Sequence, residues 1–225
     1  MGQPTSPCPT LLLLAAFSRH AAALEWARAR AVQQWGPLAL ASPTFAFQET
    51  DYYQPTMGPG LQKIFYAFAR PFDPAQLAEI KLQTNAWEAD YASQSGHAEP
   101  RPLNLDPGYL TRGKLVLAST KDFAHRIYLG RGIYAEVTLF YRHRRWEHHQ
   151  FTFGDYRRED YQQYFSQCRD FLHARPPQGN RSRDGEEGDR SMFSDDLVPV
   201  NRVDWPKNGP VPGRPVDGCP QGTPP

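Results

Sequence analysis

The sequence predicts an α+β domain, with elements in the order β-α-β-β-α-β followed by a β-hairpin and a last helix. Three observations predict it. Leu11 to Phe17 is an unbroken apolar run, as expected of a short strand covered on both faces. Two segments, Arg19 to Trp35 and Leu77 to Tyr91, carry apolar residues at helical spacing. Two segments rich in Ile, Val and Tyr flank Gly130-Arg131-Gly132, as in a hairpin.

After the first strand, Ser18 is placed to cap a helix that shows Leu24, Ala27, Ala31 and Trp35 on one face and ends at Gly36-Pro37. Thr44 to Tyr53 and Leu61 to Arg70 read as extended segments, separated by a turn through Pro55 to Gly60. Asp73 is the N-cap of the second helix, with Pro74 in its first turn and Leu77, Ile80, Thr84, Trp87 and Tyr91 on its apolar face. Leu103 to Leu105, an Asp106-Pro107-Gly108 turn and Leu115 to Ala118 follow a polar loop. This β-α-β-β-α-β order is the ferredoxin-like arrangement. In the hairpin, Arg126 to Leu129 and Ile133 to Tyr141, a three-residue loop opposes Leu129 with Ile133, Tyr128 with Tyr134 and Arg126 with Glu136. Ile127, Leu129, Ile133, Ala135 and Val137 then share an apolar face, and Arg126, Tyr128, Tyr134, Glu136 and Thr138 a solvent face. The last helix carries Tyr161, Tyr164, Phe165, Cys168, Phe171 and Leu172 in one stripe.

Composition sets the domain limits. The 225 residues include 22 Pro and 17 Gly, too many for one packed domain, and 17 of the 50 positions from 176 to 225 are Pro or Gly. Residues 176–225 are therefore expected to be a disordered tail, residues 1–9 a disordered N-terminus, and residues 10–175 a single domain. With 25 Lys+Arg against 24 Asp+Glu, the whole chain has no charge to draw it to nucleic acid or anionic lipid. Residues 101 to 175, however, hold 13 basic and 8 acidic side chains. Cys8, Cys168 and Cys219 form neither a disulfide framework nor a zinc ribbon, which suits a cytoplasmic location. Leu11 to Phe17 is too short for a membrane span and lacks the basic flank of a signal segment, and the myristoylation-like start at Gly2 is read as coincidence.

Several segments carry a resemblance. Asp51-Tyr52-Tyr53 with Met57-Gly58-Pro59-Gly60-Leu61, Glu79-Ile80-Lys81-Leu82 with Thr84-Asn85, Asn104 through Leu110, Lys114 through Leu129 and Gly132 through Leu139 are similar to the bacterial domain of unknown function 4416 family. The likeness spans Thr10 to about Leu172. It implies a bacterial, cytoplasmic protein and supplies no mechanism. The long Pro/Gly tail and the stretch Arg142 to His149 depart from the family pattern.

The residues offer their own candidates. Gly108 to Leu115 is one hydroxyl short of a phosphate-binding loop, because Leu115 stands where Ser or Thr would ligate Mg²⁺, and ordinary turn chemistry accounts for it. Ser119 to Arg126 places two hydroxyls, a carboxylate and three cationic groups between apolar segments. Lys114, Lys121 and Arg126, with Ser119 and Thr120, are candidate anion ligands, and His125 is a candidate acid or base. Asp106, His125 and Glu136 are the candidate catalytic set. Asp51, Asp106, Glu136 and His125 could also hold Mg²⁺ or Mn²⁺, although no spacing compels a metal. No nucleophile motif is present, and Cys168 lies on an apolar stripe. The leading expectation is a small enzyme or binding protein for an anionic, phosphorylated or nucleotide-like ligand. The alternatives are an RNA-interacting module using Tyr128, Tyr134 and Phe140, for which no motif speaks, and a non-catalytic interaction domain.

Overall fold

The computed structural model describes residues 2, 3, 5 and 7–174, so the expected tail at 176–225 lies outside the described residues. The described chain is a mixed fold of four helices and an open antiparallel sheet. Strand β1 (Leu11–Ser18) leads through helix α1 (Ala21–Trp35) to β2 (Leu38–Ala41) and the two-residue β3 (Phe45–Ala46). A one-turn helix α2 (Gln54–Met57) precedes β4 (Gln62–Pro71), and a 3-10 turn (Pro74–Gln76) opens α3 (Leu77–Gln94). Then come β5 (Asn104–Leu110), β6 (Lys114–Ser119), β7 (Ile127–Gly130), β8 (Ile133–Arg142), β9 (Arg145–His148) and α4 (Glu159–Ala174). The sheet order is β2-β4-β1-β5-β6-β8-β7, with β3 beside β4 and β9 beside β8.

The sheet is covered on both faces, which is why every residue of β1 is buried. Leu12, Leu14 and Ala16 face α1 and α3 through Ala23, Ala27, Ala31, Trp35, Trp87 and Tyr91. Leu11, Leu13 and Ala15 face α4 through Tyr161, Tyr164, Phe165, Cys168 and Leu172. Gly36 ends α1 in the left-handed region at φ 93°, and the Asp73 side chain accepts from the Ala75 N–H at 3.0 Å, both as the sequence predicts.

The structure corrects several expectations. Thr44 to Tyr53 is not a strand beyond Phe45–Ala46, and the outer edge of β4, whose other edge pairs with β1, is taken at Tyr66, Ala67 and Phe68 by the unforeseen β2. The turn read from Pro55 to Gly60 begins inside helix α2, with Gly58 and Gly60 supplying the positive φ angles after it. Ser18 does not cap α1. The N-cap is His20, and the Ser18 hydroxyl donates to Pro102 O at 2.5 Å while accepting from His20 N–H at 3.0 Å. Asp106-Pro107-Gly108 is not a turn but the middle of β5, and the sequence through Gly108 and Lys114 is a strand-turn-strand unit, which excludes a strand-to-helix phosphate loop.

The hairpin keeps Tyr128 opposite Tyr134 and Ile127 opposite Ala135, but Gly130 rather than Leu129 opposes Ile133. Leu129 is bulged out and the loop is two residues, Arg131 and Gly132, at φ 55° and 78°, as a tight hairpin turn requires. A second irregularity, between Leu115↔Leu139 and Val116↔Val137, resets the alternation of β8 at Thr138. Ile127, Leu129 and Val137 are therefore exposed, and Glu136 and Thr138, expected on the solvent face, are buried.

Candidate functional site

The sheet parts at one end between β5 and β6. Pro107 has no N–H to give a neighbour, and the β5–β6 ladder runs only from Gly108↔Leu117 to Leu110↔Leu115. At Gly108 the strands cross closely, with Val116 O 2.3 Å from where a Cβ would stand, so only glycine fits. Before that crossing, Asp106 and Asn104 stand level with Ala15 and Phe17 of β1, which pair on their other side with Phe65 and Lys63 of β4. Alternation along each strand thus puts Lys63, Asn104 and Asp106 on the α4 face, in rows whose other members are apolar.

Each carboxylate at this end is held by a cation. The Lys63 ammonium, almost wholly buried, lies 2.6 Å from Asp155 Oδ2 and within 4.4 to 5.8 Å of the rings of Phe17, Phe47, Phe65, Tyr156 and Tyr161. Lys81 comes from α3 on the other face, donating to Leu105 O at 2.8 Å and Asp106 Oδ1 at 3.0 Å. Asn104 donates to Asp106 Oδ2 at 2.8 Å, Arg101 donates to Asn104 and to Glu88 Oε2, and Glu88 Oε1 accepts from Leu105 N–H at 2.7 Å. Burial raises the Asp106 carboxyl, but Lys81, Lys63 and Arg101 outweigh it and hold the group below the usual carboxylate range. Glu88 goes the other way, because burial outweighs Lys81 and Arg101. The Tyr156 hydroxyl, buried and without a hydrogen-bond partner, is pushed far up by burial and by the carboxylates of Asp155, Asp106 and Glu136.

The segment from Ser119 to Arg126 closes over the end of β6. Ser119 Oγ accepts from Lys121 N–H at 3.1 Å, and the Arg126 guanidinium donates both to Lys121 O at 2.9 Å and, through Nε, to Glu136 Oε2 at 2.8 Å. His125 Nε2 reaches the same Oε2 at 3.0 Å, and Thr138 Oγ1 donates to Oε1 at 3.1 Å. The His125 imidazole is fixed between rings, stacked on Phe151 at 4.8 Å and 4° and edge-on to Phe123 at 5.2 Å. Its Nδ1 is buried without a hydrogen-bond partner. Lys121 Nζ, exposed, donates to Tyr52 Oη at 2.9 Å, and that contact lowers the Tyr52 phenol from its ordinary value.

Of the residues singled out by sequence, the structure brings Ser119, Lys121, His125, Arg126 and Glu136 together. Asp106 stands in the neighbouring network with Lys81, and Thr120 is exposed. Lys114 is not brought together with them: it begins β6, whose far end is Ser119, about 17 Å away at a strand's rise per residue. The four metal donors do not gather either, since only His125 and Glu136 meet and Asp51 instead accepts from Gln54. Tyr128 is exposed with its ring against Tyr134, and Phe140 is half-buried against His149. Lys63, Lys81, Glu88, Arg101, Asn104 and Asp155 were missed. The signal was there for two of them: Lys63 falls in phase with Phe65 and Ala67, and Lys81 in phase with Leu77 and Thr84, so each is a charge on a buried stripe.

A family model for a domain of unknown function, DUF4416, matches residues 9–171. The chain belongs to the DUF4416 family. No curated protein and no solved structure matches it. The matched range holds every residue of the DUF4416 site just described, and among the described residues no helix is long and apolar enough to cross a membrane.

Proposed function

We propose that this DUF4416 chain binds a small anionic ligand, phosphorylated or nucleotide-like, at the end of β6 from which the Ser119 to Arg126 segment leaves, and that His125 is the group that exchanges a proton with it. One observation carries this: Glu136 Oε2 lies 3.0 Å from His125 Nε2, while Nδ1 of the same ring has no partner. A carboxylate only accepts, so it selects the Nε2–H tautomer and leaves Nδ1 as the basic lone pair, on a ring already oriented by Phe151 and Phe123. Lys121, paired with a phenol rather than a carboxylate, is the cation at this end best placed to meet an anion. Arg126 is committed to Glu136 and orients the carboxylate that orients His125. Lys114 lies outside this arrangement, and Ser119 and Thr120 supply hydroxyls at its rim. Beneath it, we read α1, α3 and the strand order β2-β4-β1-β5, antiparallel throughout, as the ferredoxin-like core that positions the site.

Thermal scans against a panel of nucleotides and sugar phosphates, with and without Mg²⁺ or Mn²⁺, test the proposal. A ligand at 100 times its Kd stabilises by about 2.7 kcal/mol, easily read as a rise in Tm. At least one compound should stabilise the wild type, Lys121→Ala should abolish the shift with the unliganded Tm unchanged, and His125→Asn should reduce it. A panel without any stabiliser, or a shift that survives Lys121→Ala and His125→Asn together, overturns it.

A further inference from the structure

Where β1 passes into α1, a second group of side chains meets that the site above does not use. His20 and Glu99 are 79 residues apart in the chain, yet His20 Nε2 lies 3.1 Å from Glu99 Oε2. The imidazole of His97 stacks on that of His20, with ring centroids 3.6 Å apart and 10° between planes. Each of the three offers one ligand atom, these atoms lie within 4.8 Å of one another, and all three residues are half-buried. Two further atoms of the group have partners outside it: Arg19 donates to Glu99 Oε1 at 2.9 Å, and His97 Nε2 meets the Tyr91 hydroxyl at 3.2 Å.

We propose that His20, His97 and Glu99 bind one divalent transition metal ion, of which Zn²⁺ is the representative. Two imidazole nitrogens with one carboxylate oxygen make a donor set for a borderline cation, whereas Ca²⁺ and Mg²⁺ require several oxygens and find one carboxylate here. The outer contacts suit the role. Tyr91 takes Nε2 of His97 and leaves Nδ1 as its metal-binding nitrogen, and Arg19 takes one oxygen of Glu99 and leaves the other. With bonds of about 2.0 to 2.1 Å, tetrahedral ligand atoms stand about 3.4 Å apart, so the imidazoles must tilt out of their stack to converge. His97 follows Gly96, at φ 68°, where even a Cβ would meet no atom within 4 Å, so the backbone ahead of it has room to move with the tilt. Bound metal would tie the loop that leads into β5 to the start of α1, leaving at least one coordination position for solvent.

The test uses the full chain stripped with a chelator, titrated with Zn²⁺ by calorimetry and with Co²⁺ by visible absorption. The expected result is one ion per chain, a cobalt spectrum of a nitrogen and oxygen set, and a raised Tm. His97→Ala and Glu99→Gln should each weaken binding at least tenfold. His148→Ala/His149→Ala, which removes two imidazoles from the exposed hairpin beyond β8, should bind as wild type. Should His97→Ala fail to fold, the imidazole proton resonances of the wild type decide: Zn²⁺ must shift, and Co²⁺ must broaden, those of His20 and His97 ahead of the other histidines. No binding by the wild type, full binding by Glu99→Gln, or binding lost only in His148→Ala/His149→Ala overturns the proposal.

Discussion

Lys63→Met is the perturbation whose magnitude follows most directly from the structure. The Lys63 and Asp155 side chains are 3% and 6% exposed, and their charged atoms are 2.6 Å apart. Methionine fills a similar volume, so packing against the five surrounding rings is largely kept and the change isolates the charge. Removing one member of a buried pair costs about 3 to 5 kcal/mol, mostly because the other is left ionised in a place that solvates it poorly. The rings add to the loss, since an ammonium desolvated over aromatic faces gains about 2 kcal/mol, which places the expected cost in the upper part of that range. For a domain of the size matched by the family model, residues 9–171, where 1 kcal/mol moves Tm by about 2 to 4 °C, the drop is about 8 to 20 °C. The double variant Lys63→Met/Asp155→Leu should recover most of it, because two well-packed apolar side chains replace a buried pair at little net cost. Urea unfolding of the wild type, both single variants and the double gives the coupling directly. A loss below about 1 kcal/mol for Lys63→Met, or a double variant as unstable as the sum of the singles, would refute the reasoning.

Three further outcomes follow. Asp106→Asn should flatten the acid limb of the stability profile: a carboxyl held low by Lys81 and Lys63 gives stability that is complete above its unfolded value and lost as pH falls through the folded one, so urea midpoints between about pH 3 and pH 6 should vary less in the variant. Glu88, raised by burial, acts with the opposite sign in that window and should remain visible once Asp106 is removed. Gly108→Ala should cost at least about 2 kcal/mol by chemical unfolding, because its Cβ meets the backbone oxygen of Val116 rather than a movable side chain, and a neutral result would show that β5 and β6 can separate there. The Cys168 thiol, pushed up to about 12 by burial, should escape iodoacetamide at pH 8 in the native protein while exposed Cys8 is labelled, as read by peptide mass spectrometry.

Periodicity made the helices and the two-sided burial of β1 legible, because a stripe such as Tyr161, Tyr164, Phe165, Cys168 and Leu172 has one face to bury and α4 buries it. Local chemistry misled where tertiary pairing prevailed. Asp-Pro-Gly is a turn by propensity, yet in β5 the proline sits where the second neighbour is missing and the glycine where it comes closest, so the same residues that suggest a turn also suit a strand at a split in a sheet. The hairpin pattern gives the register at Tyr128 and Tyr134 and loses it at Leu129, since a clean sorting of apolar residues onto one face presumes that the face is buried. Ile127 is 69% exposed. Glu136 keeps its expected register, but it stands level with Leu117 of β6, in the core under α4, so the face expected to meet solvent is the buried one there.

The two irregularities act together at the site. The split at Pro107 gives Lys81 a way from the α3 face to Asp106, and the reset at Thr138 accompanies the burial of Glu136. Burial and the charges of Asp155, Asp106 and Glu136 all act on the Tyr156 phenol and raise it. Charges buried in separate pairs would each be a structural expense with a local purpose. The proposed ligand site rests on charges gathered where two strands part, with His125 Nδ1 and Tyr156 Oη buried beside them without a hydrogen-bond partner.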